Sequence, residues 1–215
     1  VEEKMDPFKV RNEKLGKRVV EALKKRFFDA YYVSSKEEVS EKVLELISKE
    51  DSVSWGGSMT LDSLGIKELL KQKGYTIIDR DTANTPEERQ QLMKSALNCG
   101  TFLMSSNAIT ESGELFNIDG AANRVAALCY GPKNVLIIAG INKVVKDLGE
   151  AYNRVRNYTA PINAQRFCQN TPCGITGECG DCINQESICA QMVATRFSKP
   201  AGRIKIILIG ENLGI

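Results

Sequence analysis

Ser52-Val53-Ser54-Trp55-Gly56-Gly57-Ser58-Met59-Thr60 reads as a short strand that ends on two glycines and opens directly into a helix. From Thr60 to Leu70 the apolar residues recur at helical spacing, and Gly74 stops the run. Further β-type runs lie at Tyr75 to Asp79, Thr101 to Ser105, Val135 to Ala139 and Ile204 to Ile209, with helical stretches between them. That alternation predicts an α/β fold: an open, mainly parallel sheet flanked by helices on both faces.

The flanking segments agree with this plan. Asp6-Pro7 pairs an N-cap with the residue favoured in a first helical turn, and Leu15, Val19, Leu23 and Phe27 follow at helical spacing. Ser35 with Glu38 forms a capping-box pattern ahead of Val39, Val43, Leu46 and Ile47. Thr85-Pro86-Glu87-Glu88 caps another helix running towards Leu97. Around Ala108 to Asn117 the pattern is strand, Ser112-Gly113 turn, strand, which predicts a hairpin inserted in the parallel arrangement.

Composition narrows the function classes. A chain of 215 residues is expected to form one large α/β domain over 1–215. Its net charge of +2, with acids and bases interspersed, provides no field for nucleic acid. Val1-Glu2-Glu3-Lys4 leads into a polar stretch and no 18-residue apolar run occurs, so neither a signal peptide nor a membrane span is expected and the location reads as cytoplasmic. The absence of histidine removes Ser-His-Asp triads, Cys-His dyads and H-E-x-x-H zinc sites, leaving Asp, Glu, Lys, Tyr or Cys as acid or base.

Three stretches carry candidate chemistry. Gly56, Gly57, Ser58, Met59 and Thr60 follow a strand and start a helix, where backbone N–H groups and hydroxyls suit a small carboxylate or phosphate; the alternative is a tight turn whose Ser or Thr only caps the helix. The dense polar run Ile109 to Arg124 offers Glu111 as the first carboxylate to test as base or nucleophile, because a strand-end turn could present it to an anion on the loop, and Asp119 as the second. The competing reading gives Glu111 to turn chemistry and Asp119 and Asn123 to helix capping. Asn123, Arg124 and Lys143 complete the binding candidates.

The third stretch, 161–190, is rich in Cys, Gly, Asn and Thr and poor in large aliphatics, so it is expected to need a tie. Cys168, Cys173, Cys179, Cys182 and Cys189 give C-x4-C-x5-C-x2-C-x6-C, five thiols for the four ligand positions of an iron–sulfur cluster or tetrahedral zinc. A single C-x-x-C knuckle favours a [4Fe-4S] cluster, with zinc the alternative and a metal-free Cys179/Cys182 redox pair the third reading. Cys99 and Cys129 stand in apolar contexts and read as buried small residues.

Taken in order, Gly56-Gly57-Ser58-Met59-Thr60, Ile109 to Arg124, Gly131-Pro132 and Gly140-Ile141-Asn142-Lys143 resemble the LUD domain of lactate-utilisation protein C and its relatives. The resemblance implies a fold similar to that of ribose-5-phosphate isomerase, glucosamine-6-phosphate deaminase and coenzyme A transferases. Asn107 stands where the isomerase branch usually places an acidic residue, which argues against carrying that mechanism over. A short subgroup of the family has a similar cysteine pattern, which implies Cys173, Cys179, Cys182 and Cys189 as ligands and Cys168 as the spare. The implied function is an iron–sulfur accessory or electron-transfer subunit in oxidation of lactate or a similar 2-hydroxy acid, with other lactate-oxidation subunits or a second copy as partners. The alternatives are an isomerase, acyl transferase or ligase-like enzyme on a phosphorylated or coenzyme A substrate with a structural metal, and a non-catalytic metal-stabilised binding module.

Overall fold

The protein is described by a computed structural model over residues 6–215; the Val1 to Lys4 opening lies outside the described residues. The strands in chain order are β1 (Asp29–Val33), β2 (Ser52–Trp55), β3 (Thr76–Ile78), β4 (Thr101–Met104), β5 (Ala108–Thr110), β6 (Leu115–Asp119), β7 (Asn134–Gly140), β8 (Val144–Val145), β9 (Gln191–Thr195) and β10 (Ile204–Ile209). The helices are α1 (Pro7–Lys25), α2 (Val39–Leu46), α3 (Met59–Ser63), α4 (Ile66–Gln72), α5 (Pro86–Ser95), α6 (Asn123–Cys129), α7 (Leu148–Arg154), α8 (Ala160–Arg166) and α9 (Pro172–Thr176).

The main sheet has six strands in the order β1-β10-β7-β4-β2-β3, all parallel. Its central strands are continuous apolar runs because both faces are covered. Along β7, Val135, Ile137 and Ala139 pack with Val19 and Leu23 of α1 and Leu128 of α6, whereas Leu136 and Ile138 pack with Val43 of α2 and Ile66 and Leu70 of α4. Burying each such aliphatic contributes about 1.5–3 kcal/mol, so a one-residue slip of β7 is strongly opposed.

The α/β plan with a parallel sheet and helices on both faces is therefore present, with local departures. Phe27 is not the fourth member of the α1 stripe: the helix ends before it, and it takes φ 62° and lies exposed against the edge of Phe197. Thr60 to Leu70 is two helices, because Gly65 at φ 63° breaks the run between α3 and α4. The Ala108 to Asn117 hairpin is not inserted in the parallel sheet. It leaves through Ser105–Asn107 and builds a second sheet, β8-β5-β6-β9, whose Ala108, Phe116 and Ile118 pack on Ala151 and Val155. The cysteine stretch also starts later than expected: Pro161 opens α8 after a π-helical turn at Val155–Thr159, and Ala160, Pro161 and Ala164 are buried. Irregular chain begins at Phe167 and is interrupted only by α9 before β9. Cys99 is buried as expected, but Cys129 is exposed.

Candidate functional site

The C-terminal ends of β2, β3, β4 and β7 deliver the glycine loop, Arg80, Ser105–Asn107 and Ile141–Lys143 to one side of the sheet. This is the crevice where open parallel sheets present their loops to ligands. Two polar depressions adjoin there. One of about 380 Å³ is lined by Gly57, Ser58, Met59, Thr60, Ser105 and Lys143. The other, of about 750 Å³, is lined by Arg80, Asp119 and Asn123, and both share Gly57, Arg124, Asn163 and Arg166.

Within the glycine loop each residue has a distinct task. The Gly56 N–H donates to the Leu103 carbonyl at 3.0 Å, continuing the sheet, and a Cβ on Gly56 would stand 3.1 Å from Arg124 Cδ. Ser58 caps α3, its Oγ accepting from the Leu61 N–H at 3.3 Å. The capping alternative thus applies to Ser58. Because α3 has five residues, its dipole adds little, and the positive potential comes from side chains instead. Foremost is Lys143, 3% exposed, whose Nζ donates to Thr60 Oγ1 at 3.0 Å and Ser105 Oγ at 2.8 Å. Burial, helped by Arg154 and Arg124, pushes its pKa down from 10.5 to about 7.

Arg124 lines the cavity, but its N–H groups are committed to the protein. Nη1 donates to the Ser105 carbonyl at 3.2 Å and Asn117 Oδ1 at 2.7 Å; Nη2 donates to Asn107 Oδ1 at 2.9 Å and the Ile118 carbonyl at 2.6 Å. Asn107 also accepts from the Ile118 N–H through Oδ1 at 3.0 Å, so it fixes the start of the second sheet. Arg124 is therefore a positioning residue that adds charge to the wall. Asp119 faces the same cavity: Oδ1 accepts from the Ala122 N–H at 3.1 Å, while Oδ2 is buried with no hydrogen-bond donor among the described residues and lies 3.5 Å from Arg124 Nε. Asn123 is the first residue of α6 rather than its cap, which is Ala122 at φ 63°.

Glu111 is placed elsewhere. It follows the far end of β5 from Ser105–Asn107, its N–H donates to the Val145 carbonyl at 2.8 Å, and its carboxylate pairs with Arg18 at 2.5 Å and Lys146 at 3.5 Å. The turn carries it towards α1 and not to the glycine loop, which corrects the expectation that it meets an anion there. Arg80, Ser105, Asn163 and Arg166 were not foreseen as site residues. Arg80 and Ser105 had a sequence signal, their positions at the ends of strands.

Cys173, Cys179, Cys182 and Cys189 line one small cavity with Thr171 and Arg156, while Cys168 is exposed and outside it. Thr171 caps α9, its Oγ1 accepting from the Gly174 N–H at 3.3 Å, and Arg156 pairs with Asp181 at the rim. Burial pushes the Cys189 thiol pKa up against the pull of Arg156. Among the described residues no three Cys, Asp or Glu side chains converge closely enough to hold a single ion. Four soft sulfur donors around one cavity with a buried guanidinium beside them nevertheless form a donor set suited to a thiolate-bound centre. The two sites adjoin: Ile188 lines both, and a Cβ on Gly120 would lie 3.0 Å from Ile188 Cα.

The fold can be set beside known proteins. The model of the LUD domain matches residues 16–209. No curated protein matches the chain in sequence. Among solved structures, a DUF162 family protein from Deinococcus radiodurans is similar with a TM-score of 0.54 at 12% identity, over 92% of this chain and 98% of that one. At that identity the likeness concerns the fold alone, whereas the family match spans most of the sequence, and on that ground the chain belongs to the LUD-domain family, which is associated with lactate utilisation.

Proposed function

We propose that the protein is an iron–sulfur accessory or electron-transfer subunit in the oxidation of lactate or a similar 2-hydroxy acid, with the substrate carboxylate held between the glycine loop and Lys143. The observation that carries this reading is the shared wall at Ile188, which sets a four-thiol cavity directly against a cationic pocket. In its charged form Lys143 offers its remaining N–H to a carboxylate while Thr60 and Ser105 hold the other two. Asp119 supplies the carboxylate on the pocket wall for a substrate hydroxyl, its position fixed by the Ala122 N–H and by Arg124. Cys173, Cys179, Cys182 and Cys189 would hold a [4Fe-4S] cluster, which when bound supplies one-electron transfer. Mononuclear zinc is the less favoured occupant because only one C-x-x-C knuckle, Cys179/Cys182, is present.

Anaerobic purification followed by an ultraviolet–visible spectrum and iron, sulfide and zinc analysis tests the centre, with Cys182→Ser as the control. The expected result is broad visible absorption that bleaches on reduction, with iron and sulfide present together and both lost in the variant. A colourless protein carrying zinc overturns the electron-transfer role and leaves the metal structural. Titration of the purified protein with L-lactate tests the pocket separately, and Lys143→Met is expected to weaken binding by about tenfold or more.

A further inference from the structure

We infer that the ligand is a hydroxy acid with a second anionic group, and that Arg80, with Arg166 beside it, receives that group at the far end of the cavity from Lys143. This rests on the hydroxy-acid reading of the pocket and narrows its substrate class. Arg80 is the anomaly that leads to it. The side chain is only 16% exposed, yet Nε is buried without a hydrogen-bond partner among the described residues. Its ion-pair partner Asp81 stands 3.8 Å away, beyond hydrogen-bond reach, and is bound instead by Arg89 at 3.0 Å. A charged side chain left without an acceptor is costly; since Nε is closed off from solvent, an anionic ligand group would relieve that cost at the Nη edge, which rests against Gly57 in the same depression.

The surroundings leave room for such a group. Arg80 Nη2 lies 3.1 Å from where a Cβ on Gly57 would stand, so the guanidinium rests against the bare backbone of the glycine loop. Arg166 lines the same space with one N–H donated to Asn163 at 2.9 Å. Arg124 contributes charge without free donors.

Charge and distance then set the ligand class. The side chains around the two depressions include four cations, Arg80, Arg124, Lys143 and Arg166, against one anion, Asp119. Cationic side chains therefore outnumber anionic ones on this wall whether or not Lys143 is charged. Lys143 follows β7 and Arg80 follows β3, three places apart in the order β7-β4-β2-β3, or about 14 Å at the backbone. A three-carbon monocarboxylate spans only a small part of that separation, and a second anionic group extends the molecule towards Arg80. Asp119, on the same wall, adds a carboxylate for a hydroxyl on the same molecule.

Isothermal titration of the protein as purified at pH 6.5 with L-lactate, L-malate and 3-phosphoglycerate, repeated on Arg80→Gln, tests this. At least one two-ended ligand is expected to bind about tenfold tighter than lactate, and Arg80→Gln to remove that advantage by weakening the two-ended ligand far more than it weakens lactate. Malate or phosphoglycerate alone gaining the advantage identifies the second group as carboxylate or phosphate. Equal affinity for all three, or an equal loss for all three in Arg80→Gln, overturns the second subsite while the hydroxy-acid pocket stands. Binding of none overturns both. Because Arg80→Gln removes a buried charge without an acceptor, its melting temperature should not fall; should it fail to fold, Arg80→Lys, which keeps the charge but loses the fork, is expected to retain only part of the advantage.

Discussion

Lys143 is the residue whose chemistry depends most on its surroundings. A buried amine with two hydroxyl partners and two arginines nearby is held to a pKa of about 7, below the 10.5 it has when exposed. Because the folded value is the lower one, the unfolded chain carries the extra proton between about pH 7 and 10.5, so stability from this group rises as pH climbs through that window. Below pH 7 both states are charged and the burial penalty, on the order of a few kcal/mol, is fully felt. Lys143→Met should therefore raise the melting temperature at pH 6, with the gain shrinking towards pH 10; melting curves that stay parallel across that range would contradict the shift. The ammonium is also the form that binds an anion. Lactate affinity should fall as pH rises above about 7, and a titration series flat from pH 6 to 9 would remove Lys143 from the contact. The sequence pointed to this lysine as a binding candidate within a Gly-Ile-Asn-Lys motif, but not to its burial. Its burial comes from Thr60 and Ser105, brought in by other strands.

At the level of elements, the order of strands and helices was legible because period and punctuation are local properties. Asp6-Pro7, Thr85-Pro86 and the Ser35/Glu38 box open helices where their capping chemistry says they should. What escaped was partnership. Nothing local tells the 108–117 hairpin that it pairs with β8 and β9 rather than with the parallel strands. Its turn is set by contact with α1: Gly113 sits at φ 87°, and a Cβ there would stand 2.7 Å from the Ala22 carbonyl carbon. Gly113→Ala should cost about 1–3 kcal/mol, more than the usual glycine replacement, because backbone and not a movable side chain is in the way; a chemical denaturation midpoint equal to the parent's would show that the turn relaxes freely. The 167–190 segment makes the opposite case. Apart from α9 it carries little regular structure, and its Cys173, Cys179, Cys182 and Cys189 face one cavity. On the proposed thiolate-bound centre, chelation should make amides across this segment exchange rapidly with deuterium while β7 and β10 keep their protection. Unchanged protection after removal would mean that packing alone holds the segment.

Across the whole molecule, the cavity sits where the two sheets are stitched together. Ser105–Asn107 joins β4 of the first sheet to β5 of the second, and Ile141–Lys143 joins β7 to β8. Arg124 spans the first junction by holding Ser105, Asn107, Asn117 and Ile118 at once, and Lys143 spans the second by bonding Thr60 and Ser105. Arg80, Asn163 and Arg166 complete the wall from β3 and α8, segments distant in sequence, which is why no motif announced them. A ligand seated there touches loops of the main sheet and both links to the second, so its binding energy should oppose separation of the two sheets. At a ligand concentration of about 100 times Kd the native state gains about 2.7 kcal/mol. For a chain of this length that corresponds to a rise in melting temperature of about 5–10 °C. The shift should come with slower amide exchange at Ser105–Asn107 and at Ile141–Val145 together, in a single sharpened transition. Protection confined to the glycine loop, or a shift of one transition out of two, would place the ligand on the main sheet alone and leave the junction without a part in binding.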